Sequence, residues 1–297
     1  MYYSPLRYPG GKGRLAPFMK IIIEKTGHVG GTYIEPFAGG AGISIDLLLN
    51  NLVSEIVIND LDKGIYSFWR AVLTETNRFL EDINNATLNM TEWERQHKIY
   101  MTQQKRYSYE LGFATFYLNR TNRSGIIKGG VIGGRKQTGK WTIEARFHKE
   151  HLAERIQEIA KRKRQIHLYN KDINSFLLNY APQYFDNALI YFDPPYYEKG
   201  RELYMNFLQH EDHVRIQSEI GQLENVDWVI TYDDCPEIIE LYHGYACKRM
   251  NWSYSAATKR NVNEIMIFRK TDMIPTETEI QAHKVRTKLR DICDIAQ

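Results

Sequence analysis

Cysteine is scarce in this chain of 297 residues: only Cys235, Cys247 and Cys293 carry thiols. Three widely spaced cysteines build no disulfide framework. No Cys or His cluster has the spacing of a metal site, so neither a cysteine-stapled secreted scaffold nor a zinc protein is expected. A reducing cytoplasm is the compartment that suits such usage. Long apolar runs are also missing. No stretch approaches the roughly 18 consecutive apolar residues of a membrane span, and Met1-Tyr2-Tyr3-Ser4-Pro5 lacks the charged-then-apolar pattern of a signal peptide. There are no repeats and no low-complexity tracts. Charge of one sign is not in excess either, since 39 Lys and Arg face 36 Asp and Glu. A net charge of +3 argues nothing by itself about a polyanionic partner. Two nucleotide-binding signatures are absent as well. No G-x-G-x-x-G can be read, and Gly10-Gly11-Lys12-Gly13 lacks the leading glycine that a phosphate loop would place at Leu6. What remains is ordinary globular composition, 43% apolar, in a chain long enough for one large domain plus an inserted one.

The most informative residues present are Asp193-Pro194-Pro195-Tyr196. They follow Ala188-Leu189-Ile190-Tyr191-Phe192, an aliphatic and aromatic run that reads as a buried strand. The tetrapeptide is therefore expected at a strand's carboxyl end, where open α/β sheets bind ligands. Two prolines stiffen the backbone and remove two N–H donors. That leaves carbonyl acceptors between a carboxylate and an aromatic face, surroundings that suit an exocyclic amino group on a flat base. The bland alternative is a strand-to-loop turn with an incidental Asp.

A second constellation lies upstream. Thr32-Tyr33-Ile34 leads into Glu35-Pro36-Phe37-Ala38-Gly39-Gly40-Ala41-Gly42, and Ile43, Ile45, Leu47 and Leu48 follow at helical spacing. This is strand, glycine turn and helix, with glycines where backbone must approach a ligand. Glu55-Ile56-Val57-Ile58-Asn59-Asp60 reads as a further strand ending in an acid, 18 residues past Gly42 and suited to the hydroxyls of a ribose.

Taken together, these residues resemble the DNA adenine-N6 methyltransferases of the Dam type. Arg7-Tyr8-Pro9-Gly10-Gly11-Lys12 resembles that family's amino-terminal cofactor segment, Glu35 to Gly42 its glycine motif, and Asp193 to Tyr196 its catalytic tetrapeptide. Weaker matches are Asn119-Arg120-Thr121 and the Tyr204, Phe207, His210 run, and the whole likeness spans roughly residues 4 to 269. It implies an α/β fold: a Rossmann-like S-adenosylmethionine-dependent methyltransferase sheet with an inserted, mainly helical recognition domain. It implies S-adenosylmethionine as cofactor, S-adenosylhomocysteine as product and double-stranded DNA as substrate. A restriction endonuclease of matching specificity would be the partner in one biological setting. An orphan regulator and a phage enzyme fit the same sequence.

Site roles follow from the same resemblance. Tyr8 and Lys12 would contact the cofactor near its amino-acid end or ring, although Lys12 also reads as an ordinary surface lysine. Phe37, Ala38 and Gly39 would form the close backbone wall, and Asp60 would take the ribose. Asp172 would accept from the cofactor's adenine amine, with Ile173 against the ring; Asp172 also reads as a helix N-cap. Asp193, Pro194, Pro195 and Tyr196 would do the chemistry, with Asp193 also beside the cofactor.

Charge distribution says more than net charge. Residues 119–166 hold thirteen Lys or Arg and four Glu, so the rest of the chain is acidic on balance. A basic island on an acidic body is a footprint for phosphates. Within it, the glycine-rich stretch 124–141 reads as a loop or loose hairpin. Arg7, Asn119, Arg120, Arg123, Arg135, Lys136 and Lys140 are the candidate DNA-binding residues, since Arg reads guanine edges and Lys or Arg hold phosphates. A flexible lid without base contacts is the alternative for this stretch, and a solvated helix face the alternative for Lys161 to Arg164. The expected organisation is a catalytic domain over 1–61 and 165–270, a recognition insert over 62–164, and a terminal helix or tail over 271–297. Competing functions are a DNA-binding relative without catalysis and a methyltransferase acting on RNA.

Overall fold

Strand Ala188–Phe192 is buried at every position, as a continuous apolar run must be when parallel neighbours cover both its edges and helices its faces. The computed structural model of the chain describes residues 3–7, 12–103, 105–198, 208–253, 261–285 and 287–292. Among them, eight strands form one mixed sheet in an α/β protein. These are β1 (Thr32–Glu35), β2 (Glu55–Asn59), β3 (Ile166–Tyr169), β4 (Ala188–Phe192), β5 (Asp227–Asp233), β6 (Ala246–Ser253), β7 (Asn261–Phe268) and β8 (Leu289–Asp291), in the order β3-β2-β1-β4-β5-β7-β6-β8. The run 3-2-1-4-5 is that of a doubly wound sheet, whose order reverses between β1 and β4.

By contacts the chain groups into two units. The first takes Met1–Arg14, Ala38–Asn51 and Ile56–Asp172; the second takes Leu15–Phe37, Leu52–Glu55 and Ile173–Gln297. This partition puts β2 and β3 with the helices of 62–164, because α3 (Lys63–Thr74) packs on β3.

In the first unit β2 and β3 pair in parallel, from Ile56 against Ile166 to Asn59 against Tyr169. Helix starts are set locally. Asp62 accepts from the N–H groups of Gly64 and Ile65 at the head of α3, and Asn89 and Ser108 cap α5 (Met90–Thr102) and α6 (Tyr109–Thr121). Phe68, Phe79 and Phe116 form an aromatic core with ring centroids 5.3–5.9 Å apart. Between α6 and α7 (Lys149–Lys161) the chain runs through turns and short 3-10 segments. The stretch 124–141 holds a bridge from Asn122 to Val131, and Asn122 donates to the carbonyls of Ile126 and Ile127.

In the second unit β1, β4 and β5 are parallel, and β7 lies antiparallel between β5 and β6. One expectation is corrected here. Residues 271–297 are more than a terminal helix or tail. After α11 (Glu277–Ala282), Leu289–Asp291 adds strand β8 to the sheet, antiparallel to β6. Three residues alternating charge and one leucine carry too little pattern to mark a strand; pairing with β6 makes it one.

Candidate active site

In the second unit the turns after β1 and β4 both leave from the point where strand order reverses, since Ile34 stands against Ile190 in register. The β1 turn begins at Glu35, which is buried, and continues to half-buried Phe37. Beneath them Tyr33 and Tyr191 stack, with centroids 6.5 Å apart. Both phenol pKa values are raised by burial, with Asp193 and Glu35 adding to it.

Asp193 directly follows β4. Its Oδ1 accepts a hydrogen bond from Thr231 Oγ1 of β5 at 2.9 Å, and Tyr191 OH lies 2.6 Å from the same hydroxyl. Thr231 has one proton and gives it to Asp193, so Tyr191 donates to Thr231. A chain of donors thus ends on the carboxylate. Pro194 is buried and Pro195 half-buried. Tyr196 OH donates to Glu264 Oε1 of β7 at 2.7 Å, and the backbone N–H groups of Tyr197 and Glu198 donate to Asp233 Oδ1 and Oδ2 at 2.9 and 2.8 Å. Thr231, Asp233 and Glu264 escaped the sequence reading. The available signal was a polar or acidic residue set within, or just before, a buried apolar strand.

The first unit holds the other motifs. After Ala38 the chain turns through Gly39, whose φ of +47° lies in the left-handed region. Gly39 N–H donates to Asp60 Oδ2 at 2.7 Å, Ala38 N–H to the Asn59 carbonyl at 2.9 Å, and Trp69 Nε1 to the Gly39 carbonyl at 2.9 Å. At the start of α2 (Gly42–Leu49) a side chain on Gly42 would come within 3.2 Å of Gly13 Cα, beside Lys12. That is a close approach, which a side chain would meet only if Gly13 gave way slightly. Asp60 Oδ1 accepts from Asp62 N–H at 2.9 Å. Burial pushes the Asp60 pKa up to about 7, the Asp62 charge adds to it, and the two backbone donors pull the other way.

Asn59 and Asn170 join the ends of β2 and β3. Asn59 donates to the Lys171 carbonyl and accepts from Lys171 N–H, while Asn170 donates to the carbonyls of Asp60 and Leu61. Exposed Asp172 follows this clasp and so lies on the same turn pair as Asp60. Ile173, half-buried, opens α8 (Ile173–Asn179) in the second unit. Tyr8 lies outside the described residues, as do Tyr204 and Phe207 of the weaker match.

The amino-terminal segment is anchored on both sides. Ser4 Oγ donates to the Gly40 carbonyl, and Arg155 Nη1 donates to the Ser4 carbonyl. Arg7 N–H donates to Asn119 Oδ1 at 2.7 Å, and Asn119 Nδ2 donates to the Arg7 and Gly125 carbonyls. Asn119 is fully buried. Its amide holds Arg7 and Gly125. Arg120 is 8% exposed, and among the described residues its Nε has no hydrogen-bond partner. Burial lowers its pKa to about 9, helped by Arg7, Arg155 and Arg146. Arg7 is lowered as well, by burial and then Arg146. Four guanidinium groups thus gather near the start of the chain.

Arg123, Arg135, Lys136 and Lys140 are exposed. Arg135 reaches Glu94 at 3.6 Å, and exposed Trp141 has the Lys140 ammonium 6.0 Å from its ring centroid. A cavity of about 490 Å³ opens at the amino ends of β4 and β5, away from all these motifs, lined among others by His28, Asn187, Asp227, Arg269 and Lys270. Its central acid is already consumed by ion pairs to His28 and Lys270 at 3.2 and 2.9 Å. Among the described residues, no group of His, Cys, Asp and Glu could hold a metal ion, and no helix is long and apolar enough to cross a membrane.

Two solved structures of the rRNA methyltransferase aviRa from Streptomyces viridochromogenes align at 13% and 10% identity, with TM-scores of 0.37 and 0.39, each covering 90% of this chain and 88% of that one. No curated protein matches the chain significantly. The pattern of one methyltransferase family runs from residue 8 to residue 256, through the glycine turn, the Asp60 turn and the proline tetrapeptide. This chain therefore belongs to the D12 class N6 adenine-specific DNA methyltransferase family.

Proposed function

We propose that the protein transfers a methyl group from S-adenosylmethionine to the exocyclic N6 of an adenine flipped out of double-stranded DNA, releasing S-adenosylhomocysteine. The observation that carries this reading is Asp193 at the carboxyl end of β4, one oxygen held by Thr231, followed by two prolines and an anchored tyrosine.

The residues fit the cofactor. Gly39 offers bare backbone at the turn, and Asp60 presents a carboxylate beside it that takes one backbone N–H on each oxygen and has a pKa raised by burial. Ribose hydroxyls would supply donors. Phe37, Ala38 and Gly39 would wall the site, Asp172 would accept from the adenine amine with Ile173 on the ring face, and Lys12 would pair with the amino-acid carboxylate. Tyr8 belongs to the same set. When bound, the cofactor supplies an electrophilic methyl on sulfonium.

The chain's own work is on the target base. A base inside a duplex is out of reach and must be extruded. Tyr196 stacks on it, a contact worth about 1–3 kcal/mol. Asp193 and the Pro194 carbonyl accept the two amino hydrogens and so orient the nitrogen lone pair, and once methylated the nitrogen gives up one of these two protons to solvent. Placement and electrostatics, rather than a strong base, drive the step. Arg7 and Arg120, with Arg146 and Arg155, gather positive charge on the anchored amino-terminal segment, which suits phosphates. Exposed Arg123, Arg135, Lys136 and Lys140 are the candidates for base edges and backbone.

The test is radiolabel transfer from the cofactor's methyl to duplex DNA, followed by sequencing with modified-base detection. N6-methyladenine at a defined motif is expected, and that motif would name any restriction endonuclease of matching specificity. Label on cytosine, or on RNA alone, would overturn the reading.

A further inference from the structure

Asp233 and Glu264 are each 1% exposed. Burying one carboxylate is costly unless it is well hydrogen-bonded. Burying two in contact is worse, and these two stand directly opposite one another in the β5–β7 ladder. Residues opposite each other in an antiparallel pair project to the same face with Cβ atoms about 5 Å apart, where like charges are unfavourable. Two residues earlier on β5, and therefore on that same face, stands Thr231.

All three side chains meet one short stretch of chain. Thr231 gives its proton to Asp193, Glu264 takes the Tyr196 hydroxyl, and Asp233 takes the next two backbone N–H groups with one oxygen each. The two prolines between have no N–H of their own to anchor that stretch. Its fixation comes from the neighbouring ladder instead. Tyr197 extends the contact, with its ring 5.1 Å from that of buried His213.

We infer that Asp233 and Glu264 are positioning residues for methyl transfer: Glu264 fixes the direction of the Tyr196 side chain through its hydroxyl, and Asp233 sets the backbone that follows. This rests on the proposed adenine transfer. Neither acid touches the reacting atoms. A ring held at its hydroxyl cannot swing about its Cα–Cβ bond, so the ring is in place before a base arrives. Misplacement of about 1 Å in such a constellation costs about a hundredfold in rate.

The experiment compares Glu264→Gln, Glu264→Leu, Tyr196→Phe and the Tyr196→Phe/Glu264→Leu double variant in the full chain, using single-turnover methylation of duplex DNA, cofactor affinity and thermal melting. Glutamine still offers a carbonyl to the tyrosine, so Glu264→Gln is expected to stay close to wild type in kcat. Glu264→Leu and Tyr196→Phe should each lose about a hundredfold in kcat with cofactor affinity unchanged, and the double variant should lose no more than either. Multiplying losses, or a Glu264→Gln enzyme as slow as Glu264→Leu, would overturn the role of Glu264. Should Glu264→Leu fail to fold, the contrast between Tyr196→Phe and Glu264→Gln decides alone.

For Asp233 the readout is amide hydrogen exchange at residues 197 and 198. Asn can accept only one of the two donors, so Asp233→Asn should speed exchange at one amide and Asp233→Ala at both. Unchanged protection would refute the anchor. This arm needs no substrate. A wild-type protein that does not methylate adenine would remove the function reading, while exchange still judges whether the pair holds the segment.

Discussion

The turns after β1 and β4 solve one problem by opposite means. Both leave the carboxyl ends of adjacent parallel strands, where open α/β sheets place their ligands. The β1 turn does so by deleting side chains: Gly39 takes a left-handed φ, and Gly42 fits against Gly13. It keeps its N–H groups and spends them, on Asp60 and the Asn59 carbonyl. The β4 turn deletes N–H groups with two prolines, keeps a carboxylate and a ring, and takes its support from side chains of β5 and β7. A glycine turn is therefore held through its backbone, and a proline turn through what surrounds it. The first suits a cofactor that must be gripped, the second a base whose amino group needs acceptors.

The largest expected effect separates the two turns. Asp193→Ala should lower kcat by about 10²–10³-fold, the loss usual for one preorganised polar partner. Calorimetry should find cofactor binding retained. Transfer at near wild-type rate would erase the contrast. Next, Asp60→Ala should weaken S-adenosylmethionine by about 1–3 kcal/mol, as when buried partners go unpaired.

The Asp60 pKa of about 7 adds a pH signature. Ionised Asp60 is the better ribose acceptor, so affinity should fall as pH drops through about 7, and Asp60→Asn should flatten the curve. The stability sign runs the other way. An unfolded Asp loses its proton near pH 4 (about 3.9) and the folded one only near 7. This group therefore costs the cofactor-free protein stability as pH rises between those values, and no more above them.

Smaller changes probe the turns themselves. Gly39→Ala forces a side chain into the left-handed region and should cost about 1–2 kcal/mol of stability, read by denaturant titration, with cofactor affinity falling as well. Pro194→Ala should cost only about 0.4–1 kcal/mol, because the surrounding side chains still hold the turn. Equal losses in the two turns would show that support is shared rather than divided.

Much of the fold was legible because it is local. The run Ala188–Phe192 is apolar throughout and is buried throughout. Leu152, Ile156 and Ile159 sit at helical spacing and line the buried face of α7. The glycine and proline turns were read from residue types that only such turns require. What escaped depends on contacts distant in sequence. Nothing near Asp233 announces that it faces Glu264, because the antiparallel register of β5 and β7 makes that pair. Asn119 looked like a ligand residue beside Arg120, yet the packing of the amino-terminal segment buries it. Polar residues on a buried helix face carry no mark of whether they serve a ligand or the chain.

The interleaving of the two contact units has a consequence for how the protein comes into being. Synthesis delivers the last segment of the first unit at Asp172, so its helices and the β2–β3 pair can assemble early. The second unit cannot. Its first segment carries α1 (Ala16–Thr26) and β1, but β1 waits for β4, and the ladder that supports the proline turn waits for β7. A strand that is buried in the finished fold thus stays without its later partner until β4 is made, a situation that favours misassociation of nascent chains. A truncation between residues 172 and 188 leaves β1 without its β4 partner.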